Sequence, residues 1–147
     1  MTAEVILDNE YATLWYHPDS GIVHHKFHKF IYGEKFREVL NTGYEVFKAR
    51  GASKWLTDDR LNSAIPKEDT AWLITDWNPR VIAAGWKYWA AVLPDKKVGQ
   101  VNINWLMRGG HQQGLIALAF EDPDEALHWL ETVDQTTPVE PTTSREQ

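Results

Sequence analysis

The sequence predicts one α/β domain: a single mostly parallel sheet with an antiparallel N-terminal hairpin at its edge and helices packed on it. Three observations carry that prediction. Aromatic and β-branched segments at residues 12–16 and 22–28 flank the turn His17-Pro18-Asp19-Ser20-Gly21. Strand-like apolar runs then alternate with stretches of helical period. At 147 residues the chain fits one domain, large enough to bury roughly 70% of its unfolded surface.

In the hairpin, Val23, His25 and Phe27 fall on one face, and Ile22, His24, Lys26 and His28 on the other. Val5, Ile6 and Leu7 suggest a short strand before it. From Gly33 to Arg50 the period changes, with Phe36, Val39, Leu40, Tyr44 and Phe47 at helical spacing and Gly51 as the stop. Gly43 inside this helix costs about 1 kcal/mol relative to Ala, which points to close packing there. Residues 54–57 read as a strand and 58–65 as a loop. Pro66 opens a helix whose Glu68 and Asp69 suit its positive end. Asn78-Pro79 reads as the N-cap and first position of a separate short helix to Ala84.

Residues 87–93 are nearly all apolar and read as a buried central strand. A helix over 98–108 follows, with Val101, Trp105 and Ile103 or Met107 on its apolar side and Gly109-Gly110 as its stop. Residues 115–120 form another continuous apolar strand. Asp122 caps a last helix with Pro123 at its first position, continuing through Ala126, Leu127, Trp129, Leu130 and Val133. The domain is expected to span residues 1–133. Residues 134–147 are too polar to pack and read as a disordered tail.

Composition narrows the function classes. A net charge of −6 argues against broad nucleic-acid binding, because phosphate contacts need clustered Lys and Arg, and Lys96-Lys97 is the longest basic cluster. The absence of cysteine excludes disulfides, thiolate catalysis and Cys-ligated metal. Met1-Thr2-Ala3-Glu4 carries no signal-peptide pattern, and no run reaches the roughly 18 apolar residues of a membrane span. A cytoplasmic location is the expectation. Eight tryptophans are unusual for this length; they read as large-residue packing or as an aromatic-lined pocket or interface.

The junction Trp55-Leu56-Thr57-Asp58-Asp59-Arg60-Leu61-Asn62-Ser63 is the first place to look for a site, since ligands of α/β sheets meet the carboxyl ends of strands. Trp55, Asp58, Asp59, Arg60 and Ser63, with Trp77 and Trp86, are the candidate binding residues. Asp58 and Asp59 could pair as acid and base, but adjacent residues at a strand end point apart, and capping or a salt bridge with Arg60 is the simpler use. His24 and His28 share a face but stand roughly 13 Å apart on a strand, and His25 points the other way, so they do not converge on a metal. They read as half-exposed strand histidines. Gly109-Gly110-His111-Gln112-Gln113-Gly114 lacks the spacing of a phosphate loop. No catalytic residue, metal ligand or cofactor is assigned.

The order of elements, with Trp55-Leu56-x-Asp58-x-Arg60 after a main strand and Glu125-Ala126-x-x-Trp129-Leu130 in the last helix, resembles the bacterial STAS/SEC14-like (anti-sigma-factor-antagonist-like, SpoIIAA-like) proteins over roughly residues 10–133. The resemblance implies a small cytoplasmic domain that works through a protein partner, or by holding a small or lipid-like ligand, rather than by chemistry. One departure matters. Antagonist STAS domains present a phosphorylatable residue in an Asp-Ser-Ser-Gly-like motif, whereas here Ser63 and Thr57 stand outside any such motif. Three functions follow as expectations. The first is a non-enzymatic regulatory domain that binds a protein partner or forms a homodimer through the Trp72–Trp77 helix. The second is a carrier of a small hydrophobic ligand in a pocket near Trp55, Trp86 and Trp89. The third is a hydrolytic enzyme using Asp58, Asp59 and a histidine.

Overall fold

The computed structural model describes residues 2–135. Six strands form one mixed sheet whose spatial order follows the chain: β1 (Glu4–Asp8), β2 (Ala12–His17), β3 (Ile22–Phe27), β4 (Lys54–Asp58), β5 (Tyr88–Val92) and β6 (Ile116–Phe120). β1, β2 and β3 pair antiparallel, because short turns join them. From β3 onward each connection carries a helix, and β3–β4, β4–β5 and β5–β6 pair parallel. The short N-terminal segment is therefore a full edge strand.

The helices divide unequally. α1 (Gly33–Ala49), the composite α2 (Lys67–Trp72) and α3 (Asn78–Ala83), and α4 (Lys97–Gln112) pack on one face, where Phe36, Leu40, Phe47, Leu73, Trp77 and Leu106 meet Leu14, Val23, Trp55 and Trp89. α5 (Pro123–Thr132) alone covers the other, with Ala126 and Leu130 against Ile22, Leu56, Tyr88, Ala90 and Val92. The strand alternation read from sequence decides which residue serves which face. Val23, His25, Trp55, Thr57 and Trp89 turn to the first. Gly43 lies where an added Cβ would meet the Trp55 ring at 2.7 Å, which is the close approach its position in α1 implied.

Four local expectations change. Asn78 is not an N-cap: its φ of −57° and ψ of −47° are helical, and the chain runs from α2 through a π-helical turn, Leu73–Trp77, into α3 without a break. Pro79 has no N–H to return to the preceding turn, and the ladder widens just before it. α4 passes through Gly109-Gly110 and ends at Gln112, with Gly114 at φ 95° beyond it. Gly110 is there for space: a Cβ would stand 3.2 Å from Leu115 and 3.5 Å from Trp89.

The third change is the face α4 buries. Gly99, Ile103, Leu106, Met107 and Gly110 turn inward, while Val98, Val101 and Trp105 are exposed. Both stripes have helical spacing, so periodicity alone could not choose between them. The fourth is β6. Ile116 and Leu118 remain 45% and 46% exposed, because α5 lies over β4 and β5 and leaves the last strand as an edge. The body of the protein also runs past residue 133: the Lys54 ammonium donates to the Asp134 carboxylate at 2.8 Å. The rest of the expected tail, residues 136–147, lies outside the described residues.

Candidate functional site

The loop after β4 is pinned from several sides. Asp58 turns to the α5 face at its strand end and is 1% exposed, and the Arg60 guanidinium grips it through Nε at 3.0 Å and Nη2 at 2.8 Å. That two-pronged contact fits carboxylate geometry and neutralises a buried charge. The Asp59 N–H donates to the Val92 carbonyl at 3.0 Å, and the Asp95 N–H to the Arg60 carbonyl at 3.1 Å. The Asn62 Oδ1 accepts from the Ile31 N–H at 3.3 Å. Asp58 and Arg60 are thereby occupied with each other. Ser63 lies against Gly99 of α4, where an added Cβ would come within 3.2 Å of its backbone.

Asp59 faces the other way. It is buried and lines a small cavity of about 40 Å³ between the sheet and the α2–α4 layer. Its walls are chiefly apolar and aromatic, with Phe27, Phe36, Trp77, Trp86 and Trp89 prominent. Burial, and then the neighbouring Asp58 charge, pushes the Asp59 carboxyl up to about 7. The Thr57 hydroxyl works against that shift by hydrogen bonding to it. Thr57 Oγ1 also accepts from the Trp89 indole N–H at 3.0 Å, so a polar relay runs from Trp89 through Thr57 to Asp59.

His25 stands on the same cavity and is buried, contrary to the half-exposed position expected for it. The Trp55 indole N–H donates to its Nδ1 at 3.0 Å. Indole nitrogen only donates, so Nδ1 must be the bare nitrogen, and the neutral ring carries its proton on Nε2. Burial, with His24 next to it, lowers the His25 pKa to about 3, which keeps the ring neutral. Nε2 has no hydrogen-bond partner among the described residues, and neither does the Asn78 side-chain amide on the same cavity.

The cavity shares Asn78 and Leu106 with a surface groove of about 330 Å³. Ile74, Ile82 and Trp105 give the groove its apolar walls, and Gly109 and Gly110 leave it open along α4. The π-helical turn borders both spaces: Leu73 and Trp77 face the cavity, and Ile74 faces the groove. A π turn is a conformation that recurs at functional sites.

The candidate residues therefore separate. Asp59, Trp77 and Trp86 meet on the cavity, while Asp58, Arg60 and Ser63 hold the loop. Trp55 lies behind the wall, with its ring 5.4 Å from Phe47 and 4.9 Å from Trp77. Trp77 is not on the surface as expected: it is buried, and its indole N–H donates to the Leu40 carbonyl at 2.9 Å. His24 bonds His17 at 3.1 Å on the opposite face, and His28 bonds Thr13 at 2.8 Å, so the three neighbouring histidines have three separate partners. His25, Asn78, Leu106 and the groove were not legible from sequence, since they converge only through packing of β3, α3 and α4. The Asn78-Pro79 pair was the one local signal, and it marks the widened turn. No family model, curated protein or solved structure matches this chain.

Proposed function

We propose that this chain is a non-enzymatic binding domain that holds a small, largely apolar molecule in the groove of about 330 Å³ that shares Asn78 and Leu106 with the aromatic cavity. One observation carries the reading. An aromatic cavity holding polar groups with hydrogen-bonding capacity to spare (Asp59, His25 and Asn78) shares a wall with an open apolar groove. Apolar concavities with a few converging polar groups, one of them with a displaced pKa, are the usual form of small-ligand sites. The resemblance to STAS/SEC14-like domains, on the order of elements and the Trp55–Arg60 motif, agrees with binding rather than chemistry. The Arg60 grip on Asp58 removes half of the acid pair that a hydrolytic mechanism would use.

The test is native mass spectrometry of freshly purified protein, followed by tryptophan fluorescence across a panel of alcohols, acids, amines and acyl lipids. Retained mass, or a saturable quench that Trp86→Phe alters, is expected. A clean apo mass with no response across the panel would overturn the reading.

A second reading, self-association or a protein partner, draws on the exposed Ile116 and Leu118 of edge strand β6 rather than on the Trp72–Trp77 helix. Sedimentation of the wild type against Leu118→Lys distinguishes it.

A further inference from the structure

The charge of the groove between α3 and α4 narrows the ligand class, and this step rests on the binding reading above. The chain carries a net charge of −6, yet Arg108 is the one charged residue lining the groove. Its guanidinium makes no ion pair or hydrogen bond with any described residue. No carboxylate lines the groove. At the end of α4, beside the groove, the carbonyls of Gly109, Gly110 and His111 each accept a hydrogen bond from Gln113, Leu115 or Gly114. Beside this lone cation lie the apolar walls Ile74, Ile82 and Trp105. At about 330 Å³ the groove sits at the lower end of the range of small-ligand pockets.

We infer that the groove takes an amphipathic organic anion, a carboxylate of medium chain length, with its head on Arg108 and its tail along Trp105 and Ile74 toward the Asn78–Leu106 wall. A guanidinium matches a carboxylate with two parallel N–H donors, and Arg108 is exposed, open to an incoming head group.

Gly109 provides a clean probe of location. It lines the groove, and a Cβ added there would meet nothing within 4 Å. Gly109→Leu therefore obstructs the groove with a residue that also favours the helix. The experiment is calorimetric titration of the wild type, Arg108→Gln and Gly109→Leu with decanoate, decanol and decyltrimethylammonium, with a melting curve for each protein. The wild type is expected to bind decanoate about threefold more tightly than decanol, in line with an ion pair at an exposed guanidinium, and the cation least. Arg108→Gln should remove that preference while keeping decanol binding. Gly109→Leu should lose all three ligands with an unchanged or raised Tm.

Equal affinity for the three heads, or a preference that survives Arg108→Gln, overturns the anion while leaving a ligand-binding groove. Full binding by Gly109→Leu overturns the location. No binding of any probe by the wild type overturns this inference, and the panel test above then decides the broader reading.

Discussion

The two faces of the sheet are built from the same strands to different ends. Under α5 the buried contacts are mostly aliphatic: Ala126 and Leu130 against Ile22, Leu56, Ala90 and Val92, with Tyr88 the one buried aromatic of the cluster. Under α1–α4 they are aromatic, and Trp55, Trp77, Trp86 and Trp89 form a run of rings 4.9–6.3 Å apart. Small side chains between one helix and a sheet can close the space between them. Large rigid rings, each with an N–H that needs an acceptor, cannot tile it as completely. The residual space falls beside Asp59 and His25, and the polar groups that bond the rings also furnish the site. The aromatic face keeps its space beside Asp59 and His25, whereas on the α5 side the space is a surface pocket of about 280 Å³ between the His17–Ser20 turn and Glu131.

The largest expected effect comes from removing the centre of the aromatic face. Trp55 is fully buried and bonds His25. Trp55→Ala is expected to cost about 3–5 kcal/mol in urea unfolding, and Leu130→Ala on the α5 face about 2–3 kcal/mol. A Leu130→Ala cost above that of Trp55→Ala would reverse the ranking of the two faces.

The next test uses the charge that only the aromatic face holds in this way. The Asp59 carboxyl is raised from 3.8 to about 7, chiefly by burial. A carboxyl that binds its proton more tightly when folded stabilises the fold below its unfolded pKa. That contribution is lost as pH rises toward the folded value. Asp59→Asn should therefore gain on the wild type by ~1.4 kcal/mol per pH unit between about pH 4 and pH 7, and no further above it. His24 and His25, both lowered to about 3 by burial, act in the opposite sense, losing stability as pH falls below 6.5. They are common to both proteins and cancel in the difference. A flat difference across the window would show that Asp59 is solvated.

The smallest effect concerns a single methyl group. Gly43→Ala should destabilise by about 1–3 kcal/mol despite the better helix former, since the new Cβ would meet the Trp55 ring at 2.7 Å. A neutral or stabilising outcome, read as a shift in Tm, would mean that the aromatic layer yields more readily than its packing implies.

Local signals along the chain were enough to place the elements and their sidedness. Alternation in residues 22–28 assigned Val23, His25 and Phe27 to one face, and Asp122-Pro123 marked the start of α5, where the Asp122 carboxylate accepts from the Asp124 N–H at 2.9 Å. These are local signals, set by backbone period and by unsatisfied N–H groups at a helix start. The Trp55–Ser63 junction was legible as a place of interest for the same reason. Its division was not, because the opposite uses of Asp58 and Asp59 depend on what each face of the sheet meets. Tertiary structure alone decided which stripe of α4 turns inward, that β6 is an edge, that Trp77 is buried, and that His25, Asp59 and Asn78 line one cavity. Each depends on residues far apart in the chain reaching the same place. Periodicity records that a helix has an apolar side, but only the partner packed against it decides which side is buried.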